Sequence, residues 1–270
     1  MNKMRVFDEE RNSPRRRFKI YGKDICYYRE VSSTNKIARD MAARGEPEGT
    51  IVMCAYQSSG VGRMRRPWVC PSGAAITMSM ILRPRLDAKA VPLLTLLCGV
   101  AVADAVSALS VGRVGIKWPN DVLVGGKKIC GILAQSGFMR DKEPYVVMGI
   151  GLNVNQTAGQ LPEECRETAT SLRIEKGERL SRLDVLGAFV RKWDERYAAF
   201  QEKGYAYLRG AWLERDVTLG RTVSIAGEGG GLVGVAKDIS ERGGLIVEFS
   251  DGGEREYLAE DLSLGRDFYG

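Results

Sequence analysis

The segment VPLLTLLCGVAVADAVSAL, residues 91–109, constrains the fold more than any other stretch of the chain. It is apolar on nearly every side, so as a helix it has no face to offer water and must lie behind other structure. Asp104 interrupts it, which argues for a helix buried in protein rather than one crossing a bilayer. Such a helix needs a sheet to cover it, and the flanking sequence supplies the strands. TIVMCAY (50–56) and AAITMSMILRP (74–84, ended by Pro84) read as buried strands. Beyond the helix come VGIKW, the turn PND, VLV, a Gly125-Gly126 hairpin turn, KICGILAQS and YVVMGIGLNVN (145–155), three or four strands in short succession.

Helical spacing recurs at two further places. Ser32, Ser33 and Thr34 precede NKIARDMAARG, whose Ile37, Ala38, Met41 and Ala42 share one face, closing on Gly45. Residues 183–204 return Leu183, Leu186, Phe189, Val190, Trp193, Tyr197 and Phe200 at intervals of three and four. From Val217 the period changes to short alternating strands with glycine turns, VTLGRTVSI, LVGVAKDI, LIVEFS and REYLAE, the pattern of a small open barrel. The expectation is an α+β chain. Residues 1–19 form a basic, proline-punctuated tail, and residues 20–214 a main domain with ligand on one face of a mixed sheet and helices on the other. Residues 215–270 form an SH3-like barrel.

The chain contains no histidine. A Ser-His-Asp triad, a Cys-His dyad, a histidine-ligated metal and an imidazole base are therefore excluded, and chemistry must run on lysine, arginine, carboxylates and amides. Charge is uneven: 34 basic and 23 acidic residues precede Arg215, against 6 and 11 from there on. A basic main domain fits phosphate-bearing ligands, an acidic protein partner or nucleic acid. Six cysteines, at 26, 54, 70, 98, 130 and 165, form no C-x-x-C pair, so neither a disulfide framework nor a zinc site is expected. The N-terminus has no apolar run behind its charges, and a cytoplasmic protein without membrane contact is expected.

Three segments carry candidate chemistry. In QSSGVGRMRRPWVCPSG (57–73), Gly60 and Gly62 let the backbone approach a ligand, while Arg63, Arg65 and Arg66 supply forked donors suited to phosphate. No helix follows to make a dinucleotide fingerprint, and no G-K-[ST] follows to make a P-loop. In KWPNDVLVGGKKICGIL (117–133), Lys117, Asn120 and Asp121 surround a proline turn, and Lys127 and Lys128 follow a tight glycine turn. Asp121 beside Asn120 can hold magnesium waters near phosphates. Lys127 and Lys128 must face opposite sides of their strand. In GIGLNVN (149–155), glycines inside a strand mark a close approach of backbone or ligand.

SSTN (32–35), the G-x-G-R loop ending in Trp68, KWPNDV followed by K-K-I-x-G-I-L, and GIGLNVN resemble, in order and spacing, the catalytic domain of biotin protein ligases. The resemblance covers residues 25–265. It implies an enzyme that joins biotin to ATP, giving biotinyl-5'-adenylate and pyrophosphate, and then passes biotin to one lysine of a biotin carboxyl carrier domain. It further implies that Ser33, Thr34, Asn35 and Gln57 line the biotin pocket and that Gly60, Val61, Gly62 and Arg63 close over it. Lys128, with Gly131 nearby, would bridge the biotin carboxylate and the α-phosphate. Arg63, Arg66, Trp68, Lys117, Asn120, Asp121, Lys128 and Asn153 would serve the nucleotide, with Mg2+ at Asp121. Lys128 and Arg63 would carry the catalysis. The chain departs from the family pattern at Val61 and Met64 (arginines elsewhere), Arg65 (glycine), Gln135 (glutamate) and Gly265 (arginine, here displaced to Arg266).

Adenylation brings two anions together against their repulsion, which fixed cations with Mg2+ accomplish without histidine. Competing readings are a lipoate or octanoate ligase of the same fold, a non-catalytic binder of the adenylate, and a biotin-responsive repressor. The residues ahead of the match show no helix-turn-helix pattern, so specific DNA binding is not expected. A homodimer is plausible from exposed sheet edges.

Overall fold

A computed structural model describes residues 16–84, 91–109, 111–139, 143–225 and 232–259. Its main sheet has eight strands: β1 (Arg16–Ile20), β2 (Lys23–Val31), β3 (Ile51–Gln57), β4 (Ala75–Leu82), β5 (Val114–Lys117), β6 (Asp121–Val124), β7 (Lys127–Phe138) and β8 (Pro144–Asn153). Their order is β1-β2-β3-β4-β8-β7-β6-β5. Only β2 and β3 pair in parallel, joined by the crossover helix α1 (Thr34–Ala43). The expected tail thus enters the sheet at Arg16, as an antiparallel edge on β2; residues 1–15 lie outside the described residues.

Helix α2 (Val91–Ser107) is buried almost throughout, as its all-round apolarity requires. It packs behind the sheet with α4 (Arg182–Leu213), which follows the short α3 (Leu172–Lys176). Strand β4 shows how the sheet sorts its faces: Ile76, Met78 and Met80 join the α2 core, whereas Ser79 faces α1. Helix α1 therefore lies on the opposite face from α2 and α4, over Val52, Cys54, Ile81 and Val147. Helices thus lie on both faces of the sheet, where they were expected on one face only. The expected cap is also looser than its sequence implies, since Ser33 precedes α1 without a side-chain capping bond.

Asp104, the interruption in the apolar segment, is 7% exposed and sits 2.7 Å from both Arg196 and Arg215. Helix α4 runs past residue 204, where the amphipathic pattern ends. Gly204, at φ +65, breaks the helical geometry, and the chain resumes with Leu208, Ala211 and Trp212 buried.

The small C-terminal sheet is an antiparallel meander of β9 (Thr222–Ile225), β10 (Leu232–Ile239), β11 (Leu245–Glu248) and β12 (Glu254–Tyr257). The linker stitches it to edge strand β5: Ile116 N donates to Arg215 O at 2.7 Å, and Val217 N donates to Ile116 O at 3.1 Å. Trp118 adds two more bonds, its backbone N–H to Thr218 Oγ1 at 2.8 Å and its indole to Gly243 O at 3.1 Å. Positions 263–266, where the family pattern is altered, lie outside the described residues. Among the described residues no helix is long and apolar enough to cross a membrane.

Candidate active site

The glycines of GIGLNVN exist to admit side chains from elsewhere. A Cβ on Gly149 would stand 2.2 Å from Asn35 Oδ1, and one on Gly151 would stand 2.5 Å from the Trp68 ring. Gly131 on β7 leaves room for both Trp68 and the Lys128 stem, at 3.4 and 3.2 Å. Gly60 is equally confined: a Cβ there would stand 2.6 Å from Trp68 O and 2.7 Å from Gln57 Nε2. The glycine strands therefore form the floor of a cleft walled by α1, the 58–72 loop and the Lys117–Lys128 hairpins.

At one end lies a cluster of neutral polar groups. Thr34 donates its backbone N–H and its hydroxyl to Gln57 Oε1, at 2.7 and 3.0 Å. Ser79 Oγ sits 2.8 Å from Thr34 Oγ1 and 2.6 Å from Asn35 Oδ1. Asn35 Nδ2 donates to Gln135 Oε1 at 3.1 Å. Thr34, Asn35 and Gln57 are thus brought together as expected, and Ser33 flanks them. Ser79 was missed; with Thr77 it is one of two hydroxyls in the buried, mostly apolar run AITMSMIL. Gln135, noted only as a departure, accepts the Asn35 bond that a carboxylate there would also accept.

The other end is cationic. Lys128 Nζ lies 2.6 Å from Asp121 Oδ1, while Lys127 is exposed, so the two lysines divide as the strand period requires. The Lys128 backbone is pinned by Thr168 O at 2.8 Å and by the Thr170 N–H at 2.9 Å. Lys117 is paired in register with Asp121 across β5 and β6 and is only 4% exposed. Burial, then repulsion from Lys128, Arg221 and Arg63, lowers its ammonium pKa to about 8, with Asp121 opposing the change. Arg63 donates to Asn120 Oδ1 at 3.1 Å and to Ala259 O at 2.5 Å, joining the loop, the proline turn and the small sheet. Asn120 is itself held by its Nδ2 bond to Ile132 O at 3.0 Å.

Three expected residues are placed differently. Asn153 is buried, with Nδ2 on Thr170 O at 3.0 Å and Oδ1 accepting from Gln156 at 2.7 Å, so its amide is engaged internally. Arg66 and Val61 are exposed. The loop is closed on itself by Gly62 N to Arg66 O at 2.8 Å and by a Val61–Pro67 bridge. Its tip holds Met64 and Arg65 at φ +53 and +56. Arg65 is therefore in a left-handed conformation at the position where the family pattern has glycine. Asp121, expected to hold Mg2+, is engaged by Lys128, and the described residues contain no group of three or more His, Cys, Asp or Glu arranged to hold a metal.

Comparison with known proteins gives a consistent picture. Residues 27–153 match the Biotin/lipoate A/B protein ligase family, and residues 218–263 match the Biotin protein ligase C terminal domain. The chain is 35% identical over 246 residues to the bifunctional ligase/repressor BirA of Bacillus spizizenii, covering 91% of this chain and 75% of that protein. It is 32% identical over 225 residues to the biotin–[acetyl-CoA-carboxylase] ligase of Mycobacterium tuberculosis, covering 81% of each. The biotin protein ligase of Aquifex aeolicus, solved in complex with biotin and ATP, superposes with a TM-score of 0.76 at 29% identity, over 90% of this chain and 98% of that one.

Proposed function

Because this chain belongs to the biotin/lipoate A/B protein ligase family, as a biotin–protein ligase within it, we propose that its cleft holds the ureido ring of biotin at the polar end and brings the biotin carboxylate to ATP at the cationic end. The reaction is ATP-dependent formation of biotinyl-5'-adenylate, followed by transfer to a biotin carboxyl carrier domain. The observation that carries the assignment of roles is the meeting of two clusters on one sheet face. Neutral donors and acceptors from Thr34, Asn35, Gln57 and Ser79 suit a ureido ring, and Lys128, Lys117 and Arg63 suit a carboxylate meeting a triphosphate.

In this reading Lys128 bridges the biotin carboxylate and the α-phosphate as the carboxylate oxygen attacks and pyrophosphate leaves. Charge moves from the carboxylate to the leaving group, and a preplaced ammonium stabilises it without reorganisation. Asn120 and Asp121 would hold the waters of a Mg2+ ion brought with the triphosphate, which would offset part of its charge, rather than form a resident metal site. The 57–67 loop is the lid, and Arg63 retains the mixed anhydride until the carrier lysine arrives. The catalytic unit is residues 20–214, with residues 215–270 as a second, smaller unit. The carrier belongs to a biotin-dependent carboxylase. Edge strand β1 is open among the described residues and offers a homodimer contact, which sedimentation with and without biotin and ATP decides. Sequence-specific DNA is left out of the partner set; operator binding that survives physiological salt would restore it.

The test is pyrophosphate exchange into ATP, run with biotin, with lipoate and with neither. Exchange that needs biotin supports the reading; exchange driven equally by lipoate removes it.

A further inference from the structure

We infer that Arg221, on the turn that opens the small sheet, is a binding residue for the β- and γ-phosphates of ATP and for the departing pyrophosphate. This rests on the ligase reading above and adds a residue that neither the sequence motifs nor that reading contains.

The argument starts from where the cations stand. Strand order places Lys128 on β7, its partner Asp121 on β6 and Lys117 on edge strand β5. Adjacent strands are about 4.8 Å apart, so this row spans about 10 Å, comparable to the reach of an extended triphosphate. If the α-phosphate lies at Lys128, the remaining phosphates point outward past Lys117 and over the edge of the sheet.

What stands beyond that edge is the linker to the small sheet. Asp216 pairs alongside Ile116, and Thr218 Oγ1 accepts from the Trp118 backbone, one residue from Lys117. Arg221 N in turn bonds Thr218 O at 3.3 Å, and Arg221 O accepts from Ala236 N at 3.0 Å. The turn is thereby tied to β5 on one side and β10 on the other, while the Arg221 side chain remains exposed. Ala259, from the far end of the same small sheet, already meets Arg63, so this sheet borders the cleft at two points. Arg221 is also among the cations that lower the Lys117 ammonium, so its charge acts on the last lysine of the row. A guanidinium at the end of a row of cations is suited to the most highly charged end of the nucleotide and to pyrophosphate.

The test uses Arg221→Ala and Arg221→Lys in the full chain. The KM for ATP and inhibition by pyrophosphate are measured beside transfer from supplied biotinyl-5'-adenylate to a carrier domain. R221A should raise the ATP KM and weaken pyrophosphate inhibition about tenfold each, the scale of one charge-assisted contact, and R221K should recover part of both. Transfer from supplied adenylate has no β- or γ-phosphate to hold, so it should keep its rate. Unchanged ATP KM and pyrophosphate inhibition in R221A, or an equal loss in the transfer step, overturns the assignment. If R221A lowers the unfolding midpoint, the comparison of R221K with wild type decides by the same two readouts. Wild-type protein without biotin-dependent exchange refutes the underlying ligase reading, whereas an active wild type with an indifferent R221A refutes only this inference.

Discussion

Replacing Lys128 with alanine separates a catalytic cation from a structural one. Its ammonium lies 2.6 Å from Asp121 Oδ1, the two side chains being 28% and 10% exposed. Breaking a fully buried ion pair costs about 3–5 kcal/mol, but this lysine keeps contact with water, so about 1–2 kcal/mol of stability should be lost. The catalytic loss is larger, about 3–4 kcal/mol, or roughly 10² to 10³ in rate, the usual effect of deleting one preplaced transition-state donor. Biotin-dependent pyrophosphate exchange should fall by that factor while the circular dichroism spectrum is retained. Supplied biotinyl-5'-adenylate should still biotinylate a carrier domain at a measurable rate, because the carboxylate is already activated. Lys127→Ala, on the exposed side of the strand, should stay within about twofold of wild type. Exchange within threefold of wild type in K128A, or a Lys127→Ala defect larger than the Lys128→Ala one, would refute the reasoning about this hairpin.

Three further outcomes follow from the same geometry. With Lys117 lowered to about 8, its ammonium is present below that pH, so kcat/KM for ATP should fall through one ionisation near pH 8, and Lys117→Arg should remove that limb; because an unfolded lysine titrates near 10.4, stability should rise with pH between those values. Gly149→Ala puts a Cβ 2.2 Å from Asn35 Oδ1 and should raise the biotin KM about tenfold or more with the ATP KM unchanged, as exchange at varied biotin and varied ATP will show. Asp104→Ala leaves Arg196 and Arg215 without their shared carboxylate and should cost about 2–4 kcal/mol in urea unfolding; a loss below about 1 kcal/mol would mean that both arginines find other partners.

The features that sequence determined by itself are those whose cause lies within a few residues. All-round apolarity in 91–109 specified a buried helix, the apolar runs of β3 and β4 and the turns at Pro119 and Gly125-Gly126 specified strands, and the absence of histidine excluded imidazole chemistry. The family resemblance carried by the motifs implied that Lys128, Asp121, Arg63 and the Thr34–Asn35 pair serve one site, and the strand period already set Lys128 apart from Lys127. What only the tertiary structure decided depends on partners far away in the chain. Ser79 looks like one more residue of a buried strand until Thr34 and Asn35 arrive against it, 45 and 44 residues earlier in the chain. Asn153, the first asparagine of a recognisable motif, turns inward because Thr170 and Gln156 lie beside it. Helix α1 crosses the sheet because a parallel β2–β3 pair requires a crossover, and the face it takes, opposite α2, is fixed by packing on Val52, Ile81 and Val147 rather than by its own pattern. Arg221 acquires its place only because Trp118 and Thr218 tie the small sheet to the edge of the large one. Local periodicity encodes which residues are buried; which neighbours they are buried against is settled by the packing of segments that the chain brings together from a distance.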